Sequence, residues 1–314
     1  MRLPFGILLL FFLTSGYAQD LPYARDVLAT LCSPQFHGRG YVYSGDKLAA
    51  DFIAEEFKKL GLEKAGESYF QHFTVPVNTF PGKLELKADG QLIIPGKDYL
   101  IDPAAPSVHG TFEVVNMDDE SLLLNEKFSD LRNSSKNKFI AVRATGKKFT
   151  KEETAKVQER INQLKYDPGM ASKGTIMITN DKLTWSGSTQ QVARPVFTID
   201  AKAIPNTFSK LTVNVESKFI REYKTQNVIG FLKGTGPSDS LLIITAHYDH
   251  LGRMGEETYF PGANDNASGT AMLLNMAKYY SKPENRLKYS MLFIAFAAEE
   301  IGLLGSSYYT EHPL

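Results

Sequence analysis

The sequence is poor in the residues that build disulfide scaffolds, because its 314 residues include a single cysteine, Cys32. One thiol excludes a disulfide framework and every zinc ribbon or knuckle, since each of these needs several cysteines. The chain also lacks net charge: 35 basic and 35 acidic residues cancel, and no basic run concentrates positive charge locally. Such a chain has no electrostatic field to bind a nucleic acid or an anionic membrane. We therefore expect neither as a partner.

An apolar run opens the chain. The segment Phe5–Leu13 is almost entirely apolar, follows Arg2, and precedes the small residues Gly16 and Ala18. This order is typical of a secretory signal peptide, which we assign to residues 1–18. The run is too short to span the roughly 30 Å of bilayer hydrocarbon. We expect an exported protein, secreted or periplasmic, with no membrane contact once the leader is removed.

Three further parts are predicted from the patterns of the remaining chain. Residues 19–82 and 223–314 combine helical patterns with apolar strands, whereas residues 83–222 consist mostly of short strands. Within this middle segment we expect one helix, started by a capping box of Thr150 and Glu153. The prediction is an α/β fold with a mixed, mostly parallel sheet flanked by helices, into which residues 83–222 are inserted as a mostly-β domain.

The first part is expected to contain a helix that ends at Leu60. Either Ser44 or Asp46 can serve as its N-cap, because both side chains accept hydrogen bonds from free backbone donors. Large apolar residues recur at helical spacing along this segment, among them Leu48 and Phe57. We expect these large side chains to form the face that packs against the core.

Two strongly apolar strands are predicted in the last part. They are Leu241–Ala246 and Tyr289–Ala297, and continuous apolar character of this kind is typical of parallel strands buried on both faces. Polar and charged residues follow each strand directly. Because ligands in open α/β sheets bind beyond the carboxyl ends of the strands, we expect these residues to form a site.

The first strand is followed by the sequence His247-Tyr248-Asp249. Side chains alternate in an extended segment, so His247 and Asp249 point to the same side. A carboxylate beside an imidazole fixes the tautomer and raises the basicity of a metal-binding nitrogen. Asp249 therefore either orients His247 or binds a metal itself.

Three more carboxylates accompany this pair. Asp265 lies in a turn rich in glycine and asparagine, where the backbone can bring a carboxylate close to a ligand. Glu299 and Glu300 follow the second strand, and adjacent residues do not face the same way in regular structure. One of them can bind a metal while the other reaches a metal-bound water. Carboxylates gathered in this way repel one another unless a cation neutralises them, so the combination predicts a metal site.

Other catalytic motifs are missing from the sequence. There is no G-x-S-x-G nucleophile elbow and no Walker loop. The segment Gly234-Thr235-Gly236 lacks the third glycine of a dinucleotide-binding fingerprint. The sequence therefore favours metal-dependent chemistry over a serine nucleophile or a nucleotide cofactor.

At these residues the sequence resembles the M28 family of zinc metallopeptidases, which includes secreted bacterial aminopeptidases. The resemblance rests on HYDHLG, PGANDNASGTAMLL and FIAFAAEEIGLLGS, in that order. It implies two zinc ions, with His247 on one, Glu300 on the other and Asp265 bridging them. It also implies that Asp249 orients His247 and that Glu299 is the general base that acts on a metal-activated water. The implied reaction is hydrolysis of a peptide substrate.

The same resemblance implies features outside this segment. By position and strand pattern, the insert resembles a protease-associated domain. The family uses one more acidic ligand and one more histidine ligand beyond the position of Leu314, so we expect a C-terminally truncated member. Two alternatives stay open at this point: an inactive or non-catalytic relative that serves as a binding module, and carboxypeptidase or glutaminyl cyclase chemistry on the same fold. The sequence leaves the oligomeric state open.

Overall fold

The computed structural model describes residues 20–237 and 239–314. The predicted signal peptide lies outside these residues. The helices of the described part are α1 (Leu21–Leu31), α2 (Gly45–Lys59), α3 (Asn125–Ser134), α4 (Lys151–Tyr166), α5 (Ser268–Ser281) and α6 (Leu304–Glu311). The strands are β1 (Glu63–Lys64), β2 (Phe70–Thr79), β3 (Leu84–Ala88), β4 (Gln91–Ile93), β5 (Tyr99–Ile101), β6 (Val108–Asp118), β7 (Phe139–Arg143), β8 (Gly174–Thr179), β9 (Val196–Asp200), β10 (Lys210–Val215), β11 (Lys218–Leu232), β12 (Leu241–His247), β13 (Arg253–Met254), β14 (Thr258–Tyr259) and β15 (Ser290–Phe296). None of the helices in the described ranges combines the length and the apolar character needed to cross a bilayer.

A five-stranded sheet carries the residues predicted to bind metal. Its order is β1-β11-β15-β12, and β2 pairs with the long strand β11 as well. Strands β12 and β15 are parallel, whereas β1, β2 and β15 all run antiparallel to β11. The mixed α/β class is confirmed, but the pairing within this sheet is mostly antiparallel, not mostly parallel as expected. The reason is that β11 is central and each of its neighbours runs against it.

The two apolar strands differ in burial. In β15, the residues from Met291 to Ala295 are all buried, as expected. In β12, Leu241, Leu242 and Ile243 are 40–46% exposed, so the prediction of burial on both faces is wrong for this strand. The physical reason is position: β15 lies between β11 and β12, while β12 is the last strand of the sheet within the described residues.

A second sheet, of eight strands, contains β3 to β10. Its order is β4-β3-β10-β6-β7-β8-β9-β5, with parallel pairing from β6 through β9. These strands fall inside residues 83–222. The assignment of this segment to a separate inserted domain stays a prediction. Strand β11 begins at Lys218, within that range, and pairs there with β2 of the first sheet.

Two α-helices accompany the second sheet, so the expectation of a single helix is wrong. The predicted capping box of α4 is confirmed, with reciprocal hydrogen bonds between Thr150 and Glu153. The missed helix is α3, which has no side-chain cap at its start and buries only Phe128 and Leu131. So short a helix with two buried positions leaves little periodic signal in the sequence.

Helix α2 packs through small side chains. Phe57 is buried as expected, but Leu48 is 42% exposed, and most of the buried apolar positions of α2 are alanines: Ala49, Ala50 and Ala54. The buried face therefore combines these small residues with Ile53 and Phe57 of the predicted stripe, and Leu48 is the exception. Ser44 precedes the helix but makes no capping hydrogen bond through its side chain.

Asp46 lies in the core and does not serve as the N-cap. Its carboxylate accepts hydrogen bonds from the Tyr223 hydroxyl at 2.6 Å and the Thr225 hydroxyl at 2.9 Å, which ties α2 to β11. Burial raises the pKa of Asp46 to about 6, and these two donors oppose that rise by favouring the charged form. A carboxylate is therefore kept inside the fold by hydroxyl donors.

Removal of the Tyr223 hydroxyl should destabilise the fold in a pH-dependent way. The folded-state pKa of Asp46 lies above its ordinary value, so the cost of burying its charge is present above about pH 6 and is relieved as the pH falls. Y223F deletes a donor that offsets this cost. We expect a loss of about 1–3 kcal/mol in the free energy of unfolding at pH 8, and a smaller loss at pH 5. Urea unfolding at both pH values measures this.

Tyr41 provides the matched control. Its ring lies 5.1 Å from that of Tyr223, yet its buried hydroxyl has no hydrogen-bond partner among the described residues. Y41F deletes the same atom without removing a bond, so its effect should be small and equal at both pH values. An equal loss at pH 5 and pH 8 in Y223F would contradict the role given to Asp46.

Candidate metal centre

His247 is the last residue of β12 and lies at the carboxyl edge of the first sheet. Parallel pairing sets His247 opposite Phe296, the last residue of β15, so the two strands end at the same level. On one side of the imidazole, Nδ1 is 3.2 Å from the backbone oxygen of Asp249 and 3.7 Å from its carboxylate. On the other side, Nε2 is 3.3 Å from a carboxylate oxygen of Asp265. The ring therefore presents Nε2 to the acidic residues.

Asp249 is fully buried and joins the ends of the two strands. One of its carboxylate oxygens accepts the backbone N–H of Glu299 at 3.2 Å, and the other accepts that of Glu300 at 3.3 Å. Both oxygens are thus engaged by main-chain donors. This carboxylate fixes the segment that follows β15 relative to the segment that follows β12.

Asp265 reaches the site from the turn that precedes α5. Its side chain is exposed, and it lies in the turn Ala263–Ala267, where its own backbone is not helical (φ −122°, ψ 99°). Gly262, which precedes this turn, has a φ of 56°, a conformation that glycine adopts without steric cost. The peptide bond between Asp265 and Asn266 is cis. The predicted glycine- and asparagine-rich turn is therefore what delivers this carboxylate.

The two adjacent glutamates make different contacts. An Oε atom of Glu299 is 3.8 Å from Nε2 of His247. Glu300 has Oε1 at 2.5 Å from Nδ1 of His250, and the side chains of both residues are largely buried. Adjacent in sequence, these two carboxylates thus engage different imidazoles.

Three of the five predicted site residues form a group able to hold a metal ion. One donor atom each of His247, Asp265 and Glu300 lies within 4.8 Å of the others. Nitrogen and carboxylate oxygen together are a donor set that zinc accepts. The donor types and their convergence therefore fit a divalent cation.

The electrostatics of the cluster also favour a bound cation. Burial opposes protonation of His247, yet Asp249, Glu299 and Asp265 together raise the pKa of its imidazole to about 9. Burial raises the pKa of Glu299, and the charges of neighbouring carboxylates, Glu300 first, add to this against the lowering effect of His247. The rise for His247, and the smaller part of the rise for Glu299 that comes from its neighbours, reflect negative charge that a bound cation would neutralise.

Arg39 anchors two of the segments that form the site, a role that its sequence context did not predict. Its guanidinium is fully buried and donates to four backbone carbonyls. Tyr248 and Gly262, one in each of the two segments that carry His247 and Asp265, both accept from it at 2.8 Å. The only signal in the sequence was an arginine between two glycines, which gives no hint of partners so distant along the chain.

Similar proteins share this part of the chain. Residues 227–314 match the family model of Peptidase family M28. Aminopeptidase YwaD of Bacillus subtilis (strain 168) is 34% identical over 149 residues, which are 45% of this chain and 31% of that protein. The Glutamate carboxypeptidase 2 homolog of Caenorhabditis elegans is 32% identical over 106 residues, which are 32% of this chain and 13% of that protein. The matched segments thus span about a third or less of these curated relatives.

The fold also resembles a solved structure. BSAP, a zinc aminopeptidase from Bacillus subtilis, is 25% identical, with a TM-score of 0.62 over 93% of this chain and 65% of that chain. The family match covers the segments that carry His247, Asp265 and the two glutamates. The match over residues 227–314 and the likeness of the fold thus relate this chain to Peptidase family M28 and to a zinc aminopeptidase.

Proposed function

We propose that this protein is a zinc-dependent exopeptidase, most specifically an aminopeptidase, that hydrolyses peptides with Glu299 as general base. The observation that carries the proposal is the convergence of His247, Asp265 and Glu300, whose donor atoms lie within 4.8 Å of one another. The similarity to a Bacillus aminopeptidase over 45% of this chain supports the same activity.

In this proposal His247, Asp265 and Glu300 bind the metal, and two zinc ions share the complete site. Zinc, when bound, activates a water molecule at neutral pH and polarises the scissile carbonyl. Asp249 orients His247 through its backbone carbonyl, which accepts a hydrogen bond from Nδ1 at 3.2 Å and leaves the lone pair of Nε2 for the metal. The Asp249 carboxylate accepts hydrogen bonds from the backbone N–H groups of Glu299 and Glu300, which keeps both glutamates at the same edge of the sheet.

Glu299 is the residue that moves the proton. Its raised pKa makes the carboxylate a stronger base than an exposed glutamate. After it accepts the proton of the attacking water at a carboxylate oxygen, it can return that proton to the leaving amine. A base of this kind has to lie beside the metal without being a ligand, and Glu299 lies 3.8 Å from Nε2 of His247 while Glu300 belongs to the converging group.

Loss of a ligand should strongly weaken zinc binding. We expect H247A, D265N and E300Q each to lower zinc affinity by more than the about 10–100-fold that loss of an outer partner costs. Chelator-stripped protein, titrated with zinc against a chromophoric competitor, measures the affinity. E299Q is the matched control, because it removes a neighbouring carboxylate that is not a ligand, and it should keep zinc. Wild-type protein that binds no zinc would refute the proposal.

E299Q should in turn abolish turnover. Loss of a general base costs typically 10²–10⁴-fold in rate, so we expect a fall in kcat of about that size with zinc content unchanged. Release of free amino acids from short peptides by the full-length protein measures the rate. Equal turnover by wild type and E299Q, or no turnover by either, would contradict the assignment; the second result favours a non-catalytic binding module.

The choice between aminopeptidase and carboxypeptidase chemistry has its own test. Carboxypeptidase activity is considered because one relative, which matches 32% of this chain, is named a glutamate carboxypeptidase homolog. Peptides acetylated at the N-terminus should resist an aminopeptidase, while peptides amidated at the C-terminus should remain substrates. The opposite preference would transfer the proposal to carboxypeptidase chemistry. Cyclisation of an N-terminal glutamine without cleavage would transfer it to glutaminyl cyclase chemistry.

We also propose that the protein is exported, secreted or periplasmic, through the leader of residues 1–18. Removal of this leader predicts a mature N-terminus at Gln19. Expression with its own leader, followed by N-terminal sequencing of the exported protein, measures the cleavage site. An uncleaved chain retained inside the cell would refute the localisation without affecting the proposed activity.

A further inference from the structure

His250 lies beside the converging group without belonging to it. Its Nδ1 is 2.5 Å from Oε1 of Glu300, and the residue is 8% exposed. A carboxylate accepts hydrogen bonds and does not donate them, so the imidazole carries its hydrogen on Nδ1 and donates it to Glu300. The bond fixes one oxygen of the glutamate and leaves the other free to turn toward a metal.

The same ring packs against the turn that delivers Asp265. A Cβ atom added at Gly262 would lie 2.3 Å from Cδ2 of His250 and 2.4 Å from its Cγ, which no real structure tolerates. The imidazole therefore occupies space that only glycine at position 262 leaves open. The backbone N–H of His250 donates to the carbonyl of Arg39 at 3.2 Å, which fixes the residue on its other side.

These contacts connect two of the three proposed ligands through one side chain. His250 touches Glu300 by a hydrogen bond and the segment of Asp265 by packing, three residues ahead of that aspartate. Both ligands come from segments outside regular strands, which have few other restraints on side-chain position. An outer partner of this kind sets ligand orientation and thereby metal affinity.

We propose that His250 is a positioning residue for the metal centre, which orients the Glu300 carboxylate by donating from Nδ1 and supports the Asp265 turn through its ring. This inference rests on the proposed zinc site and adds a residue to it. His250 acts through Glu300 and does not bind the metal itself.

Zinc affinity of substituted proteins tests the proposal. H250A removes both contacts, H250F keeps the ring against Gly262 but has no donor, and H250N keeps a donor near the position of Nδ1. We expect H250A and H250F to bind zinc about 10–100-fold more weakly than wild type, and H250N to stay close to wild type. Zinc titration of chelator-stripped full-length protein against a chromophoric competitor gives each value without any assay of turnover.

Two controls separate positioning from a general loss of structure. H109A removes an imidazole that is hydrogen-bonded to Asn214 on the exposed surface of the second sheet, and it should leave zinc affinity unchanged. Thermal unfolding of the metal-free proteins should be alike for H250F and H250N; if H250A does not fold, these two variants still decide the question.

The outcomes distinguish this inference from the proposed function. Wild type that binds no zinc overturns the metal site and the inference with it. Wild type that binds zinc with H250F unaffected overturns the inference alone, as does H250N that falls as far as H250F. A loss of one bound zinc per chain in both H250F and H250N, instead of a weaker affinity, would make His250 a ligand and would also overturn the positioning role.

Discussion

The buried guanidinium of Arg39 is the interaction on which the geometry of the site depends. It donates to main-chain carbonyls of Leu31, Tyr248, Pro261 and Gly262. These carbonyls belong to the end of α1, the segment after β12 and the turn before α5, which have no common secondary structure to align them. A five-donor planar cation satisfies several backbone acceptors at once, which a lysine does not do. Loss of Arg39 would leave these buried carbonyls without a partner, and the two segments carrying His247 and Asp265 would lose their common anchor.

The site itself is formed at the ends of β12 and β15. Its carboxylates differ in what they contact. Asp249 uses both oxygens on backbone N–H groups and thereby aligns the residues that follow β15 with those that follow β12. Asp265 and Glu299 face His247, and Glu300 faces His250. The division follows from burial: the carboxylate in the interior is the one with main-chain donors, while Asp265, at the solvent edge, has an exposed side chain. A bound cation would balance the negative charge that these carboxylates leave uncompensated.

The sequence predicts some of this architecture well, for identifiable reasons. The two apolar strands and the polar residues behind them are local patterns, and the structure brings His247, Asp265 and Glu300 together at the ends of those strands. The failures come from long-range packing. Burial of β12 depends on its place in the sheet, the exposure of Leu48 depends on how α2 packs, and the core position of Asp46 depends on hydroxyls nearly 180 residues away. Neither Arg39 nor His250 could be assigned a role from the sequence, because their partners are set by folding alone.

The exposed strand β12 has a consequence beyond the site. On the side away from β15 its backbone N–H and C=O groups have no strand to pair with in the described residues, and Leu241, Leu242 and Ile243 are largely exposed beside them. An edge of this kind is a template: any extended segment that meets it gains main-chain hydrogen bonds and apolar contact together. Because His247 ends this strand, a segment paired with β12 would lie alongside the candidate metal centre.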